Sequence, residues 1–469
     1  MKLINKRIIV VLMTILMLSC SEEFLELNPQ QSVANDLALT NLDDFKSSIT
    51  AVYDYLSSSD YYGRYFILVP DVMSDDVKQN SQANRAKEFA EYDANVSDPI
   101  AREMWERMYE AINATNTLIN SDVTVPDGVV DQRDHIIGEA YALRGLIHFD
   151  LVRMFAQHYT FTAGGSHLGV PIVTEFDING EPSRNTVNEV YDQVIADMLM
   201  GISMLDPTSR SGNSSTISSM AVKGLLSRVY LYKEDWANAE SLATEVINSG
   251  DYTLVDSANY VSSWASDNSA ESIFEISMTA VDNRGSDALG RMYMVEGYGD
   301  YLPSNDVVSL IPAGDVRLGV YKTDTVLTGD FAPLRMNKYP TVASDDNTKV
   351  MRLSEVYLIR AEARAEMGTN DAGAQADVDA IRQRGLPTAA AVVATGQALK
   401  DEIALERRIE LCFEGQRLWD LMRKKQDMVR TQCTSPLVCS VSYPNDRFIL
   451  PIPENELDAN PNIEPNPGY

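Results

Sequence analysis

Apolar residues recur every three or four positions through several long segments of this chain, a spacing that forms one continuous apolar face only on an α-helix. The first stripe comprises Ala140, Leu143, Ile147, Leu151 and Met154. Two more comprise Val222, Leu225, Val229 and Tyr232, and Val356, Ile359, Ala363 and Met367. The chain is therefore predicted to be mainly α-helical, with helices near 135–157, 187–248, 352–384 and 398–425.

Small residues follow two of these stripes after a turn. Ala239 and Ala243 come after Asp235-Trp236, and a second set comes after Gly368, at Ala372, Ala376 and Ala380. Alanines let two helices approach closely, and the pattern is typical of tetratricopeptide-like helix pairs. A long stretch separates the two pairs, so a helix-pair scaffold interrupted by insertions is expected instead of a regular solenoid. Trp236 and Trp419 fall within helix patterns and are predicted to be core residues.

Two regions, 71–98 and 249–349, break this pattern with Gly, Asp, Asn and Ser. Short strand-like runs occur there, such as 273–276. Long irregular excursions in a compact protein are usually functional. These insertions are therefore predicted to form the ligand surface.

The C-terminal segment 443–469 is rich in Pro and Asn, which disfavour helix. Its apolar residues are spaced at Ile449, Ile452, Leu457 and Ile463. This spacing predicts an extended strap, without helix, laid over the folded body.

The N-terminus has the form of an export signal. Lys2, Lys6 and Arg7 precede an apolar run, 8–18, that is shorter than the ~20 residues of a membrane span. Cys20 ends this leader, so residues 1–19 are predicted to be a signal peptide and Cys20 a lipidated N-terminal cysteine. An ordinary secreted protein is the alternative.

Net charge restricts the partners. Lys and Arg total 39 against 68 Asp and Glu, a formal charge of −29. Such a chain repels nucleic-acid phosphates and anionic lipid surfaces. Neutral or cationic ligands remain, although Arg85, Arg284 or Arg291 could form a local basic patch for an acidic glycan.

The remaining cysteines suit an oxidising compartment. Cys433 and Cys439 bracket a short loop and are predicted to form a disulfide, because a metal site would lack other nearby ligands. Cys412, beside Leu411 and Phe413, is predicted to be a buried free thiol.

No motif selects a catalytic site. The four histidines never occur at zinc-protease spacing, and no nucleophile elbow or phosphate loop is present. The interlaced charges of the 406–423 cluster are predicted to form ion pairs on helices; they are Glu406, Arg407, Arg408, Glu410, Glu414, Arg417, Asp420 and Arg423. Asp75-Asp76 and Asp267-Asn268 could bind calcium but lack EF-hand spacing. No metal or cofactor is predicted. A glycosidase pair of carboxylates stays possible, because 68 acidic residues cannot exclude one.

Several motifs resemble the SusD/RagB family, nutrient-binding outer-membrane lipoproteins of Bacteroidota. They are Cys20 to Pro29, the acidic turn at 71–76, 144–153, 353–366, Glu406 to Leu411 with Phe413 to Arg417, and the tail with its Pro451-Ile452-Pro453 start. The resemblance implies a single SusD-like domain over 20–469, built on tetratricopeptide-like pairs with loops and small strands on one side. It also implies a SusC-like TonB-dependent transporter as partner, and attachment to the outer membrane facing the cell exterior.

Carbohydrate binding needs flat aromatic faces beside planar polar groups. The candidates in the irregular regions are Trp264, Tyr293, Tyr298 and Tyr301, with Asn80, Asn84 and Arg85 in a region that contributes ligand contacts in the family. Each aromatic could instead pack a loop onto the helices. The expected function is capture of an oligosaccharide for the transporter, without catalysis; the alternatives are capture of oligopeptides, a transporter-stabilising lid that binds little, or a hydrolase.

Overall fold

The computed structural model describes residues 39–206, 213–326, 334–433 and 438–469. Helices dominate, as the apolar stripes predicted, and the strands are short. The helices are α1 Leu42–Ser57, α2 Tyr65–Val72, α3 Lys87–Ala90, α4 Pro99–Ile119, α5 Val130–Phe155, α6 Val187–Met204, α7 Ser219–Lys233, α8 Trp236–Asn248, α9 Tyr260–Ser263, α10 Leu289–Tyr293, α11 Asn305–Val308, α12 Leu353–Met367, α13 Asp371–Gly385, α14 Gly396–Leu411, α15 Arg417–Arg423 and α16 Glu454–Ala459.

The longer helices pack as antiparallel neighbours in chain order, α5 on α6, α7 on α8 and α12 on α13, while α8 also packs on α12. The three predicted stripes supply the buried faces, with Leu143, Val222 and Val356 fully buried. Helices α5 and α6 approach so closely that a Cβ at Gly201 would lie 2.9 Å from the Gly138 carbonyl oxygen. The mainly helical, helix-pair architecture is thus confirmed.

The alanine pattern on α13 predicted the wrong face. Ala372 and Ala376 are exposed, and the buried positions are instead Ala374, Val378 and Ile381. Alanines occur all around this helix and do not fix its rotation. The larger apolar side chains do, because they gain more from burial. On α8 the predicted contact face is confirmed, since Ala239 and Ala243 are buried. Trp236, which was predicted to be a core residue, is only half-buried. Trp419 lies in the core as predicted.

The single helix expected over 398–425 is two helices. The chain leaves α14 at Leu411 and re-enters helix at Arg417, with Phe413 at φ 63° and Gly415 at φ 72° between them. Gly415 lies against α2, where an added Cβ would be 3.2 Å from the Ile67 Cα. The break therefore lets this turn contact another helix, which a continuous apolar pattern did not reveal.

The strands form four antiparallel pairs, β1 with β3, β2 with β6, β4 with β5 and β7 with β8. Their bounds are β1 Val77–Gln79, β2 Ser272–Ile276, β3 Tyr301–Pro303, β4 Tyr321–Thr323, β5 Leu334–Met336, β6 Thr348–Arg352, β7 Met428–Val429 and β8 Ser440–Val441. Five of these strands fall within or at the end of the irregular region 249–349, where sequence predicted strand-like runs. Short 3₁₀ turns also occur, at Asp127–Val129, Tyr159–Phe161, Ala163–Gly165, Gly285–Asp287, Val316–Val320 and Asp446–Phe448.

The C-terminal segment crosses the helical body as a largely extended strap, and its own Ile452 and Ile463 side chains are buried. The expectation that it contains no helix was wrong, because α16 forms a short helix in its middle. Pro453 occupies the N-cap position, where its carbonyl oxygen accepts the Leu457 N–H at 3.2 Å and its own missing N–H is not needed by the helix. The Asn466 amide donates to the carbonyl oxygens of Phe155 and Leu450, at 2.8 and 2.7 Å, and fixes the end of the strap.

Some expectations from the sequence concern residues outside the described ranges, and others disagree with the structure. The leader 1–19 and Cys20 lie outside the described residues. Residues 71–80, predicted to be ligand surface, are buried. Within the part of the chain that is described, no helix has the length and hydrophobicity needed to cross a membrane.

Candidate functional site

The two irregular regions meet at the β1–β3 pair. Gln79 pairs with Tyr301 in an antiparallel register, so the residues that follow β1 lie beside those that precede β3. The Asn80 amide N–H donates to the Asp300 carbonyl oxygen at 2.9 Å, which continues the pairing past the strand ends. The segments 80–85 and 296–300 therefore form one surface, called here the 85/298 rim.

Asp300 organises this rim with one carboxylate oxygen. Its Oδ2 accepts the backbone N–H groups of Asn84 and Arg85, at 3.4 and 3.3 Å, and lies 3.2 Å from Arg85 Nη1. The Asp300 side chain is 9% exposed, so this contact is shielded from bulk water. A single carboxylate thus fixes both the backbone and the guanidinium of Arg85.

Arg85 stacks on the only predicted aromatic that is exposed. Its guanidinium carbon lies 3.3 Å from the centroid of the Tyr298 ring, and Tyr298 is 38% exposed. Asn84 beside it is exposed, and Arg85 Nη1 lies 3.4 Å from its amide oxygen. The rim therefore presents an aromatic ring, a guanidinium and a carboxamide together.

The turn before Tyr298 holds the ring in place. The Tyr298 N–H donates to the Arg291 carbonyl oxygen at 2.9 Å, and the Arg291 side chain bonds to Ser344 Oγ and to the Val342 carbonyl oxygen. Gly297 passes so close to Arg291 that a Cβ there would lie 2.1 Å from the same carbonyl oxygen. Only glycine allows this approach, so the ring position depends on Gly297.

Three predicted aromatics lie in the interior. Trp264 is 3% exposed, with Lys338 Nζ 4.7 Å and Arg352 4.9 Å from its ring. Tyr293 is buried and donates to Asp71 Oδ2, and Tyr301 is buried with its hydroxyl on the Arg85 carbonyl oxygen. A buried ring cannot stack on a ligand, so Trp264, Tyr293 and Tyr301 are no longer candidates for stacking on a sugar.

Tyr301 and Asn80 nevertheless belong to the rim as supports. Tyr301 fixes the Arg85 backbone at 2.6 Å, and Asn80 Nδ2 lies 3.3 Å from the Gly299 carbonyl oxygen. Trp264 and Tyr293 are not part of the rim. Asp300 was missed by sequence reasoning, because an acidic residue next to an aromatic in a −29 chain carries no distinguishing pattern.

The 406–423 charges form an ion-pair network, as predicted, and most of these side chains are buried. Glu410 contacts Arg352, Arg384 and Arg317, and these cations hold its pKa well below the usual range against the effect of burial. Glu414 contacts Lys338 and Arg352 in the same way. Each acid of this cluster has cationic partners, so none of its carboxylates is left as an unpaired buried charge, and removal of one partner would be costly.

The calcium candidates are engaged with protein partners. Arg417 Nε lies 2.7 Å from Asp75 Oδ1, and Arg408 Nε lies 2.7 Å from Asp76 Oδ1. Asp267 accepts the Asn347 N–H at 3.1 Å. Among the described residues, no group of His, Cys, Asp and Glu side chains is placed to hold a metal ion.

The structure also locates the cysteines and the arginines that were candidates for a basic patch. Cys433 is bonded to Cys439, and Cys412 is a buried free thiol whose pKa burial raises to about 11. Arg284 donates to the Ser57 carbonyl oxygen at 2.8 Å instead of joining Arg85 on the rim. Of the three arginines named as candidates for a local basic patch, Arg85 is therefore on the rim and Arg284 is not.

Two family models match the chain. The model described as the SusD family matches residues 334–469, and the one described as starch-binding, associating with the outer membrane, matches residues 23–231. A SusD superfamily structure from Bacteroides thetaiotaomicron is 30% identical, covering 92% of this chain and 100% of that chain, with a TM-score of 0.83.

Two further relatives agree. The structure of a putative sugar binding protein from Bacteroides vulgatus is 29% identical, covering 92% of this chain and 99% of that chain, with a TM-score of 0.83. SusD-like protein P2 of Formosa agariphila is 25% identical, with 98% of both chains covered.

Proposed function

This chain belongs to the SusD family, and we propose that it captures an oligosaccharide at the 85/298 rim and delivers it to a SusC-like TonB-dependent transporter. The observation that carries the proposal is the exposed Tyr298 ring under the Arg85 guanidinium. An aromatic ring covers the apolar C–H faces of a sugar, while planar polar groups bond its hydroxyls. The rim provides both within one short surface.

The geometry favours binding over catalysis. Arg85 has five N–H donors, and its stacking on Tyr298 aims them along the rim, beside the exposed Asn84 amide. The rim segments hold two carboxylates: Asp300 is committed to Arg85 and to two backbone N–H groups, so Glu296 is the one that is exposed. A hydrolase would need two free carboxylates facing a sugar. The rim therefore suits reversible capture.

The cellular setting rests on the family and on the leader. A family model described as associating with the outer membrane matches residues 23–231. Lipidation of Cys20 would anchor the protein there, facing the cell exterior. Capture of oligopeptides at the same rim is the second candidate, and a lid that stabilises the transporter while binding little is the third.

Retention of the purified protein in gels that contain polysaccharides tests the ligand class. The panel contains starch, other neutral polysaccharides and acidic polysaccharides, and a further gel carries mixed oligopeptides coupled to its matrix, with a parallel assay for released reducing sugar. Retention by a neutral polysaccharide without product release supports the proposal. Retention by peptides alone, or release of sugar, would contradict it, and retention by no ligand together with recovery of a co-purified transporter would favour the lid.

A further inference from the structure

A cleft of about 890 Å³ lies apart from the 85/298 rim. One wall is helix α4, which contributes Trp105, Tyr109 and Asn113, and the opposite wall is the irregular loop 171–182. The C-terminal strap closes one end with residues of and next to α16. This volume falls within the range of small-ligand sites, ~300–1,000 Å³.

The ends of the loop are firmly held. Tyr109 donates to the Pro171 carbonyl oxygen at 2.9 Å, and Asn120 donates to that of Thr174 at 2.8 Å. From the strap, Asn460 donates to the Pro182 carbonyl oxygen at 2.8 Å. These hydrogen bonds fix the loop to helix α4 and to the strap, so the walls of the cleft are held in place by the fold.

The middle of the loop exposes large apolar side chains. Phe176 is 54% exposed and Ile178 is 83% exposed, and both line the cleft. Exposed apolar side chains at the edge of a concave surface are typical of a binding site. Ile172 and Ile463 continue the apolar lining inward.

The charged groups of the cleft have one sign. Its lining includes Glu175, Asp177, Glu181 and Glu456 but no Lys, Arg or His, and none of these four forms an ion pair among the described residues. Burial raises the pKa of Glu456, against a hydrogen bond from Trp105. A cation in the cleft would therefore meet carboxylates and no competing basic side chain of the lining.

The neighbouring cation does not neutralise this lining. Arg184 follows the loop, but its guanidinium is buried and donates to the Gly169 and Glu464 carbonyl oxygens, at 2.7 and 2.9 Å. The cleft therefore keeps its negative charge facing the solvent, together with the apolar pair Phe176 and Ile178.

We propose that this cleft is a second binding site, and that its ligand is a short oligopeptide carrying both basic and apolar side chains. Lysine or arginine side chains would pair with the carboxylates of the loop and of α16, while apolar side chains cover Phe176 and Ile178. A neutral glycan would gain nothing from the net charge of the lining. An acidic peptide would be repelled by it.

Fluorescence anisotropy with two labelled peptides tests the site. One peptide alternates lysine and leucine, and the other has glutamate in place of each lysine. The lysine peptide should bind the natural protein at low salt and weaken as salt is raised, since these ion pairs are partly exposed. The triple variant Glu175→Gln/Glu181→Gln/Glu456→Gln should bind it about tenfold more weakly. Phe176→Ser should weaken binding at every salt concentration.

A matched control removes the same charge elsewhere. Asp122→Asn/Asp127→Asn/Asp131→Asn changes three exposed acids that lie outside the cleft. This control should bind the lysine peptide as the natural protein does. Equal binding of the glutamate peptide, unchanged affinity in the cleft triple variant, or equal weakening in the control would overturn the proposal. The circular dichroism melting curve of each variant confirms that it is folded.

The proposal for the cleft and the proposal for the rim can be tested independently of each other. The cleft triple variant should retain any glycan bound by the natural protein, and Tyr298→Ala should retain the lysine peptide. If the peptide instead competes with the glycan for the rim, and Tyr298→Ala loses both, the cleft is not a separate site.

Discussion

The guanidinium of Arg85 lies face-on to the Tyr298 ring, with 3.3 Å between the guanidinium carbon and the ring centroid. The two residues are more than two hundred positions apart and meet because β1 pairs with β3. Asp300 also holds the arginine, with its Oδ2 3.2 Å from Arg85 Nη1. The Tyr298 ring and the N–H donors of the Arg85 guanidinium are therefore held in position before a ligand binds. This pre-organisation lowers the entropy cost of binding.

Asp300→Asn tests that fixation. The substitution removes the charge that holds Arg85 and weakens two backbone contacts, so glycan affinity should fall about three- to tenfold through loss of one charge-assisted hydrogen bond. Isothermal titration calorimetry measures the change. Asp287→Asn, which breaks the Arg64–Asp287 ion pair elsewhere, is the matched control and should leave affinity unchanged. Equal affinities in both variants would show that Asp300 does not position the ligand site.

Gly297→Ala should disrupt the rim through the backbone. The new Cβ would lie 2.1 Å from the Arg291 carbonyl oxygen, so the turn must shift. We expect a loss of about 1–3 kcal/mol in the free energy of unfolding, as for other overpacked sites, together with weaker glycan binding. Gly128→Ala is the control, because nothing lies within 4 Å of its added Cβ. Urea denaturation compares the two, and equal stabilities would contradict the geometry of this turn.

Glu410→Gln tests whether the buried charge network supports the fold. The change leaves Arg352, Arg384 and Arg317 without a shared carboxylate. Breaking such a buried pair typically costs roughly 3–5 kcal/mol, whereas Asp43→Asn at an exposed pair should cost about 1 kcal/mol or less. Urea denaturation measures both. A small loss for Glu410→Gln with reduced glycan binding would instead point to a functional carboxylate.

Glu139 predicts a specific pH dependence. Burial raises its pKa from 4.5 to about 7, and its partner Tyr53 bonds one carboxylate oxygen. The folded protein therefore binds more protons than the unfolded chain between these values, and this contribution to stability is lost as pH rises through about 7.

Glu139→Gln mimics the protonated acid and should remove this dependence. The variant should gain stability relative to the natural protein as pH rises from 4.5 to 7, by up to about 3 kcal/mol. Denaturation at several pH values measures the difference. A difference that does not change with pH would show that the Glu139 pKa is not raised in the folded state.

The sequence predicted the scaffold well because helix periodicity depends on local spacing. The stripes of Leu143, Val222 and Val356 are buried except at Met367, the last residue of the third stripe, which is half-buried. It missed the break between α14 and α15, because the two residues with positive φ there are set by tertiary packing: Gly415 lies against Ile67 of α2, and the Phe413 ring packs on Tyr293. The ion pairs of Glu410 were expected, but their burial follows from helices distant in sequence.

The site was predicted less well, and Trp264 and Tyr298 show why. Both are aromatics in the same polar, irregular region, and composition does not distinguish them. Trp264 is buried between two cations, whereas Tyr298 is exposed because Gly297 turns it outward toward Arg85. The exposure of a loop aromatic depends on the turn that carries it and on its partners across the fold.

The most direct test of the proposed function is the affinity of Tyr298→Ala for the glycan that retains the natural protein, measured by calorimetry beside Tyr298→Phe and Tyr230→Ala. Tyr230 is a half-buried tyrosine on α7, outside the rim. We expect glycan affinity to fall about tenfold in Tyr298→Ala, the energy of one aromatic stack, and to stay near the natural value in Tyr298→Phe and Tyr230→Ala. Unchanged glycan affinity in a folded Tyr298→Ala protein would contradict it.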